Sequence, residues 1–380
     1  MLSTYKVIHG EKLMKLLQEK IKLRDLIRYK YISFYKNKGI ENIPALPLKI
    51  DYDPTLSFVN CTICHMKKMY IEDKKLKAYC VSQPALRTNT YHEIHNDMYL
   101  TYTASLEMLG VFQPITELKY AADVLKNQIL WQIDFLHQCL GDKFGIRIEI
   151  SNKFCEYVEK KFFKELENYN VSFYIEKENY EWEYGMDNII GIGSNWFIKY
   201  ESYEYEFGNV ILLLKDNVPM GVESGGGIEV VMQSIMGSTH KIYSNMYATK
   251  EVERQILENG MLSIMYFDTI DVISNILWEM KDESQRTIQI DEVLEQYIRA
   301  FKSLVVLLDL SRSTIEKYIN MYEVCHKEWC KYPGELFNRL EEELSNCWDV
   351  SFILKKVQDT QLAWKGLSRL EKVAIRKLMT

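Results

Sequence analysis

Residues 222–237, V-E-S-G-G-G-I-E-V-V-M-Q-S-I-M-G, join a glycine-rich strand end directly to an apolar helix. Three consecutive glycines, Gly225, Gly226 and Gly227, remove every Cβ from the junction, so the backbone can approach a ligand or a neighbouring strand closely. The helix that follows offers free N–H groups and the positive end of its dipole, which favour anions. Taken alone, this pattern is typical both of nucleotide-binding turns and of tightly packed junctions.

Other segments accompany this junction in a characteristic order. They are residues 23–40 (L-R-D-L-I-R-Y-K-Y-I-S-F-Y-K-N-K-G-I), 53–60 (D-P-T-L-S-F-V-N), 82–87 (S-Q-P-A-L-R), 95–97 (H-N-D), 106–110 (L-E-M-L-G), 187–193 (D-N-I-I-G-I-G) and 208–216 (G-N-V-I-L-L-L-K-D). In this order they resemble the catalytic domain of alanyl-tRNA synthetase, a class II aminoacyl-tRNA synthetase. The resemblance covers residues 20–245 and extends weakly into the remainder.

The resemblance implies an α+β fold, in which a class II synthetase-like antiparallel sheet is flanked by helices and followed by an all-α C-terminal domain. Residues 23–40 correspond to the opening helix and residues 53–60 to the strand after it. Glycine nearly vanishes after Ser238, and the amphipathic runs at 250–280, 290–309 and 311–330 predict helices. We therefore expect a catalytic domain at 1–245 and a helical domain at 246–380, without the family's zinc-bearing editing domain.

Hydrophobic periodicity predicts individual elements between these motifs. Apolar residues recur at helical spacing over 121–140, with Gly141 as a stop signal, and again over 154–166. Residues 145–150 and 171–176 predict strands. Residues 196–207 alternate aromatic and polar side chains over an unusual length, which predicts a long strand or a hairpin arm.

The chemistry implied by the resemblance is ATP-dependent activation of an amino acid to an aminoacyl-adenylate. Arg87 matches the catalytic arginine that holds the α-phosphate, and its planar guanidinium suits bidentate binding. Glu107 matches a catalytic glutamate close to the nucleotide. The remaining positions that the resemblance assigns to ATP, which would enter with Mg²⁺, are His95, Asp97, Leu106, Met108, Gly225, Gly227 and Glu229.

Two positions depart from the family pattern around adenine. The family sandwiches the base between an aromatic residue and an arginine, and this chain has Leu106 and Val230 there. Aliphatic side chains lose stacking and cation–π energies of roughly 0.5–2 kcal/mol apiece. ATP is thus either held differently or not used.

The implied substrate pocket has changed as well. Glu223 stands where the family has an aspartate for the substrate ammonium, and Asn209 matches the pocket asparagine. Ile190 replaces the pocket tryptophan. A pocket with a different wall is expected to select a different amino acid, so alanine is not assumed.

Two hypotheses of function follow. The first is an enzyme that activates an amino acid and transfers it to a tRNA, a carrier protein or a small amine. The second is a catalytically degenerate synthetase paralog that binds an amino acid or aminoacyl-tRNA as a regulatory module. Retention of Arg87, Glu107, Asn209 and an acid at Glu223 favours the enzyme, and loss of both adenine partners favours the module.

The chain carries a formal charge of −6 with a pI of about 5.8, so it has no electrostatic basis for nonspecific nucleic-acid binding. No apolar run reaches the length of a membrane span, and the N-terminus lacks a signal-peptide core. We expect a cytoplasmic protein with neither a membrane nor a DNA partner. A basic cluster near the start is interpreted mainly as a solvated helix face: Lys15, Lys20, Lys22, Arg24, Arg28, Lys30, Lys36 and Lys38.

Eight cysteines in a chain without a recognisable secretion signal predict reduced thiols and not disulfides. Cys61, Cys64 and His65 form C-T-I-C-H, which matches the c-type haem attachment pattern, but haem attachment requires export. A zinc site could combine Cys61 and Cys64 with Cys325 and His326, but the sequence has no second C-x-x-C and no H-x-x-x-H to complete it. We therefore predict no metal site and structural roles for these thiols.

Overall fold

The computed structural model describes residues 2–53, 56–100, 102–141, 143–176, 181–201, 203–238, 240–244, 260–279, 287–325, 338, 340–341 and 367–379. Its contacts divide the chain into two compact units. The sheet unit consists of Lys22–Ala85 and Leu106–Ser244, and the helical unit of Met1–Ile21, Leu86–Ser105 and Asn245–Thr380. Helix α1 (Leu2–Asn37) contributes to both units.

One sheet contains nine strands among the described residues: β1 (Glu41–Asn42), β2 (Tyr79–Leu86), β3 (Ser105–Pro114), β4 (Gly145–Ser151), β5 (Val171–Glu176), β6 (Glu181–Glu183), β7 (Ile189–Tyr200), β8 (Tyr203–Lys215) and β9 (Val218–Gly227). Their order is β1-β2-β3-β9-β8-β7-β4-β5, and β6 pairs with β7. The run β3-β9-β8-β7-β4 is antiparallel, whereas β1–β2 and β4–β5 are parallel.

The sheet unit also contains helices α2 (Cys64–Ile71), α3 (Ala121–Leu140), α4 (Lys160–Leu166) and α5 (Ile228–Met236). Successive strand residues point to opposite sides of a sheet. We call the side that carries Leu109, Val111, Leu212 and Val222 the helix face. It packs with apolar residues of α1, α3 and α5 in one core.

The other side of the sheet, which we call the glycine face, carries Gly110, Glu223, Gly225, Asn209 and Asn195. A smaller apolar cluster covers part of it. Its buried members are Ile63, Met66, Tyr79, Val81, Phe112, Ile211 and Leu213. The sheet thus separates a large core from a face on which polar side chains and glycines alternate.

The predicted α+β fold, with an antiparallel sheet flanked by helices, is confirmed. Helix α3 begins and ends where the periodicity and Gly141 place it, and β5 spans the predicted residues. The glycine-rich segment is indeed a strand end, β9, that continues directly into helix α5. Residues 82–87 and 106–110 belong to the predicted strand-loop-strand.

Two element predictions were wrong, and one was correct only in its second alternative. Residues 196–207 are not one long strand but belong to a β-hairpin, formed by the ends of β7 and β8 around a turn at Glu201, which has a φ of 53°. Residues 154–166 are divided, because Glu159 is extended between a 3-10 turn and α4. The described part of 53–60 contains no strand, and the short β1 precedes it instead.

The helical unit contains α6 (Met261–Glu279), α7 (Ile288–Leu307), α8 (Arg312–Cys325) and α9 (Arg369–Met379) besides the first part of α1. These agree with the amphipathic run predicted at 290–309, with 261–279 of the run predicted at 250–280 and with 312–325 of the run predicted at 311–330. Residues 250–259, 280 and 326–330 lie outside the described residues. The predicted domain division at 245 remains a prediction.

The segment 86–105 is fixed within the helical unit by hydrogen bonds to α6 and α7. The Asp268 carboxylate accepts from the Ala104 N–H at 2.7 Å, and the Asn275 amide donates to Ser105 at 3.1 Å. The Tyr297 hydroxyl lies 2.9 Å from Thr90 Oγ1. Among the helices that the structure describes, none combines the length and hydropathy needed to cross a membrane.

Candidate functional site

The glycine face presents one continuous row of residues in register across five strands. Gly110 on β3 faces Gly225 on β9, which faces Asn209 on β8. Asn209 faces Asn195 on β7, and Asn195 faces Glu149 on β4. Glycine supplies the start of this row and polar side chains supply the rest, so the surface changes from bare backbone to hydrogen-bonding groups within the width of the sheet.

The space around a Cβ differs among the three consecutive glycines. A Cβ at Gly225 would overlap the carbonyl oxygen of Leu109, and one at Gly226 would overlap that of Phe207. A Cβ at Gly227 would make only ordinary contacts of 3.6 Å with Glu229 and Val230. Packing against neighbouring strands therefore accounts for Gly225 and Gly226 without a ligand.

Glu223, the predicted ammonium ligand, lies on the glycine face two residues before Gly225. The residue is 8% exposed, and its carboxylate accepts a hydrogen bond of 2.7 Å from the hydroxyl of Thr62. The Thr62 side chain occupies the space that a Cβ at Gly110 would fill. Thr62, which the sequence analysis did not single out as a site residue, thus positions the carboxylate.

Two tyrosines lie close enough to Glu223 to feel its charge. Burial raises the pKa of Tyr79 and of Tyr184 well above 10, and the Glu223 carboxylate adds to both shifts. Tyr79 donates to the carbonyl of Thr62 at 3.0 Å. The buried Tyr184 hydroxyl has no hydrogen-bond partner in the part of the chain that the structure describes. An unpaired buried hydroxyl costs free energy.

Asn209 is a diagonal neighbour of Glu223 on the adjacent strand, a placement that corresponds to roughly 7–8 Å between Cα atoms. Its amide donates to the side-chain oxygen of Asn195 at 2.8 Å. Of the predicted substrate residues, the structure therefore brings Glu223 and Asn209 together. Ile190, the third predicted substrate residue, lies on the other side of the sheet and packs against the core of the helix face.

Glu107 and Glu229 form a buried cluster with two arginines of α1. Arg24 Nε and Arg28 Nε each donate to Glu107 at 2.7 Å, and Ser82 also donates to it. Arg24 and the backbone N–H of Glu107 donate to Glu229 Oε1 at 3.1 and 2.9 Å. Two of the basic residues interpreted as a solvated face are thus internal ion-pair partners.

The two carboxylates of this cluster have opposite pKa shifts. Burial works against ionisation of Glu107, but Arg24 and Arg28 outweigh it and hold its pKa at about 2. Burial, together with the neighbouring Glu107 charge, raises the pKa of Glu229 although Arg24 opposes the shift. Glu229 Oε2 is buried and has no partner among the described residues.

The remaining sheet-unit positions that the resemblance assigns to the nucleotide are apolar. Leu106 is half-buried, Met108 is 8% exposed, and Val230 belongs to the helix-face core. An aliphatic side chain inside a core has no free surface for stacking. Val230, which stands where the family has an arginine, therefore packs in this core.

Arg87, His95 and Asp97 belong to the helical unit. The backbone N–H of Arg87 donates to Ala104 at 2.8 Å, and Asp97 is exposed. His95 is 7% exposed, and its ring nitrogens lie 3.1 Å from Ser368 Oγ and 3.0 Å from the carbonyl of Gln296. Burial lowers the pKa of His95, so the neutral ring donates to Gln296 and accepts from Ser368.

The C-T-I-C-H segment precedes and begins α2. Cys61 and Cys64 are free thiols 3.9 Å apart, and His65 Nε2 lies 3.0 Å from Gln83 Oε1. Within the described ranges, no group of three His, Cys, Asp or Glu side chains is arranged to hold a metal ion. The side chains of Cys325 and His326 lie outside the described residues.

Comparison with curated proteins finds one relevant stretch of sequence. Over 90 residues the chain is 33% identical to the alanine–tRNA ligase of Wolbachia pipientis wMel. The stretch covers 23% of this chain and 10% of that ligase. The resemblance to alanyl-tRNA synthetase is confirmed over this stretch. No family model matches the chain.

Solved structures of aminoacyl-tRNA synthetases align with this chain at low sequence identity. Histidyl-tRNA synthetase from S. aureus aligns with a TM-score of 0.36 and 8% identity, over 56% of this chain and 69% of that one. Asparaginyl-tRNA synthetase from Pyrococcus horikoshii aligns with a TM-score of 0.38 and 9% identity, over 61% and 67%. The same enzyme from Entamoeba histolytica, in complex with asparaginyl-adenylate, gives 0.37 and 11% over 61% and 66%.

Proposed function

We propose that this chain binds an α-amino acid through Glu223 and activates its carboxylate with ATP. The observation that carries the proposal is the setting of Glu223, a nearly buried carboxylate beside bare glycine backbone and within reach of Asn209. A substrate ammonium replaces hydration that such a carboxylate has lost, and it forms a charge-assisted bond. The similarity to an alanine–tRNA ligase supports the same class of substrate.

In the proposed reaction a carboxylate oxygen of the amino acid attacks the α-phosphorus of ATP. The bond from that phosphorus to the bridging oxygen breaks, pyrophosphate leaves, and an aminoacyl-adenylate remains. The acyl group then passes to a tRNA, a carrier protein or a small amine. The assignment of Arg87 to the α-phosphate rests on the motif resemblance, and a guanidinium there offsets the charge that develops in the transition state.

Mg²⁺ has no ready-made cage of protein ligands in the described residues. It commonly enters such sites with the phosphates of the nucleotide and retains several waters. We therefore propose Mg·ATP as the substrate rather than a resident ion. The cytoplasm, where ATP and amino acids are both supplied, is the proposed location.

A second candidate function is amino-acid binding without ATP chemistry. Glu107 supports it, because its carboxylate is engaged by Arg24, Arg28 and Ser82. Leu106 and the buried Val230 supply neither a ring nor a cation for adenine. In this case the chain would sense an amino acid, or bind aminoacyl-tRNA, on a fold that has lost the nucleotide.

Calorimetric titration of the full chain distinguishes these candidates. Each amino acid is titrated with and without Mg·ATP, and pyrophosphate release is measured for every mixture that binds. Amino-acid-dependent release establishes activation. Amino-acid binding without any response to ATP establishes the binding module.

Two variants assign the residues. We expect Glu223→Gln to weaken amino-acid binding at least ten-fold, a loss of about 1.4 kcal/mol, with ATP binding unchanged. Arg87→Ala should abolish pyrophosphate release and leave amino-acid binding intact. Equal loss of both ligands in Glu223→Gln would contradict its role as the ammonium ligand, and unchanged turnover in Arg87→Ala would exclude Arg87.

A further inference from the structure

Beyond Glu223, the glycine face continues into three polar residues, of which the proposed function names only Asn209. We call Asn209, Asn195 and Glu149, which are cross-strand neighbours on β8, β7 and β4, the polar row. Both asparagines are half-buried, whereas the residues beside them on the helix face, Val210, Ser194 and Trp196, are buried. The polar row therefore remains accessible where the rest of these strands is enclosed.

The two asparagines leave hydrogen-bonding groups of both kinds unused. Each carboxamide has two N–H donors and one oxygen acceptor. In the described chain, the single side-chain bond between them runs from Asn209 Nδ2 to Asn195 Oδ1, at 2.8 Å. The Asn209 oxygen and the Asn195 N–H groups remain for a ligand. An acceptor beside a donor is complementary to another carboxamide.

Four charged side chains at the far end of the polar row pair with one another. Arg147 pairs with Glu149 and also with Glu204, at 2.9 Å. Lys199 pairs with Glu204 at 3.2 Å. The guanidinium of Arg147 lies 3.9 Å from the ring centre of Phe197, which fixes its plane. Two cations thus meet two carboxylates, and the exposed Glu206, which faces Phe197 on the same side, adds a negative charge that disfavours an anionic side chain.

The substrate wall implied by the family resemblance is absent from this face. Ile190 stands at the position of the pocket tryptophan, but its side chain packs with the helix-face core. Ile211, opposite Glu223, supplies apolar surface on one side, but the neighbours of Asn209 along the row are Gly225 and Asn195, which give a methyl side chain no apolar contact there. Alanine would leave the asparagine groups facing water.

We infer that the site takes an amino acid with an uncharged carboxamide side chain, asparagine or glutamine. The inference rests on the proposed function, because Glu223 holds the ammonium in both. With the ammonium at Glu223, the side-chain amide extends over Gly225 towards Asn209, across a diagonal of roughly 7–8 Å. There it donates to Asn209 Oδ1 and accepts from Asn195 Nδ2.

The test is calorimetry on the full chain without ATP, using L-glutamine, L-asparagine, L-glutamate, L-alanine and L-valine. Glutamate has the shape of glutamine and differs in charge, so it isolates the charge argument. We expect one of the two amides to bind at least ten-fold more tightly than alanine, valine and glutamate. Sites built around hydrogen bonds discriminate at this level or above.

Asn195→Leu removes the donor from the polar row. It should lower affinity for the preferred amide ten- to hundred-fold and leave alanine affinity unchanged, which also shows that the variant is folded. The matched control is Lys199→Arg, on the same side of β7 near its hairpin end, which keeps the positive charge opposite Glu204 and should retain the preference. Asn195→Ser, which keeps a small polar group, should lose less than Asn195→Leu.

Each outcome decides between the inference and the function on which it rests. Tighter binding of alanine, valine or glutamate than of both amides overturns the inference and leaves amino-acid binding at Glu223 standing. An unchanged amide preference in Asn195→Leu overturns the inference in the same way. If none of the five compounds binds, and the remaining protein amino acids also fail, the proposed function falls as well.

Discussion

Glu107 and Glu229 show how much one residue's ionisation depends on its neighbours. The carboxylates share Arg24, yet two arginines and a serine bind Glu107, whereas one oxygen of Glu229 has no partner among the residues that the structure describes. The pKa of Glu107 is about 2, against an ordinary 4.5, while that of Glu229 is raised. The pair therefore predicts opposite dependences of stability on pH.

Because the folded pKa of Glu107 is lowered, its contribution is complete above pH 4.5 and is lost as pH falls towards 2. A shift of this size corresponds to about 3 kcal/mol of unfolding free energy. We expect Glu107→Gln to lose about 3 kcal/mol at pH 7, and its stability to vary less between pH 4.5 and 2 than that of the wild type. Denaturant unfolding across this pH range measures both effects.

Glu229→Gln is the matched control for Glu107→Gln. Because the folded pKa of Glu229 is raised, ionisation opposes folding as pH rises above its unfolded value. The glutamine keeps the Oε1 acceptor for Arg24 and removes the buried charge, so it should cost less at pH 7 than Glu107→Gln. The same steep acid loss in Glu107→Gln and wild type would contradict the assignment of that loss to Glu107.

The residue scale also marks the limit of what the sequence predicts about the site. Glu223 and Asn209 were proposed from motif positions, and the structure places them on one face. Ile190 was proposed in the same way, but the register of β7 turns it to the other side of the sheet. Arg24 and Thr62 find their partners 83 and 161 residues away, so local patterns carry no sign of them.

At the scale of elements, long amphipathic helices and short alternating strands were predictable, and interruptions were not. The periodicity over 121–140 ends at Gly141 because that glycine has a φ of 73°, which terminates α3. Over 154–166, Phe154, Val158 and Phe163 are all buried, so the apolar spacing continues across Glu159, where the helical conformation is interrupted. The turn at Glu201 was missed because aromatic alternation continues on both sides of it.

Helix α9 begins with a capping box that was readable from the sequence S-R-L-E. The Glu371 N–H donates to Ser368 Oγ at 3.2 Å, and the Ser368 N–H donates to Glu371 Oε2 at 2.8 Å. Arg299 of α7 adds two bonds of 2.9 Å to the same carboxylate. The cap therefore joins two helices of the helical unit.

We expect Ser368→Ala to lower the stability of the helical unit by about 1–2 kcal/mol, because it removes the cap and the contact with His95. Hydrogen exchange of α9 amides should accelerate accordingly. Ser368→Thr retains the hydroxyl and should restore most of the loss. Unchanged exchange in Ser368→Ala would show that Arg299 alone holds the start of α9.

At the scale of the whole molecule, charge limits the partners. A formal charge of −6 repels nucleic-acid backbones, so binding to unrelated RNA or DNA should be weak and lost by physiological salt. Mobility-shift titration with random duplex DNA and unrelated RNA at several salt concentrations measures this. A transfer RNA that still binds at physiological salt would identify a specific acceptor. Comparable binding of random DNA would contradict the prediction.

The glycines of β9 have an evolutionary consequence. Since strand packing alone forbids a side chain at Gly225 and Gly226, purifying selection would keep both in any descendant that still folds, including one that has lost its reaction. Gly225 and Gly226 are thus a requirement of the fold and not a mark of activity. A comparison of descendants that asks which have kept the proposed reaction should therefore look at Glu223, Asn209 and Arg87, the residues to which the proposal gives ligands, and not at these two glycines.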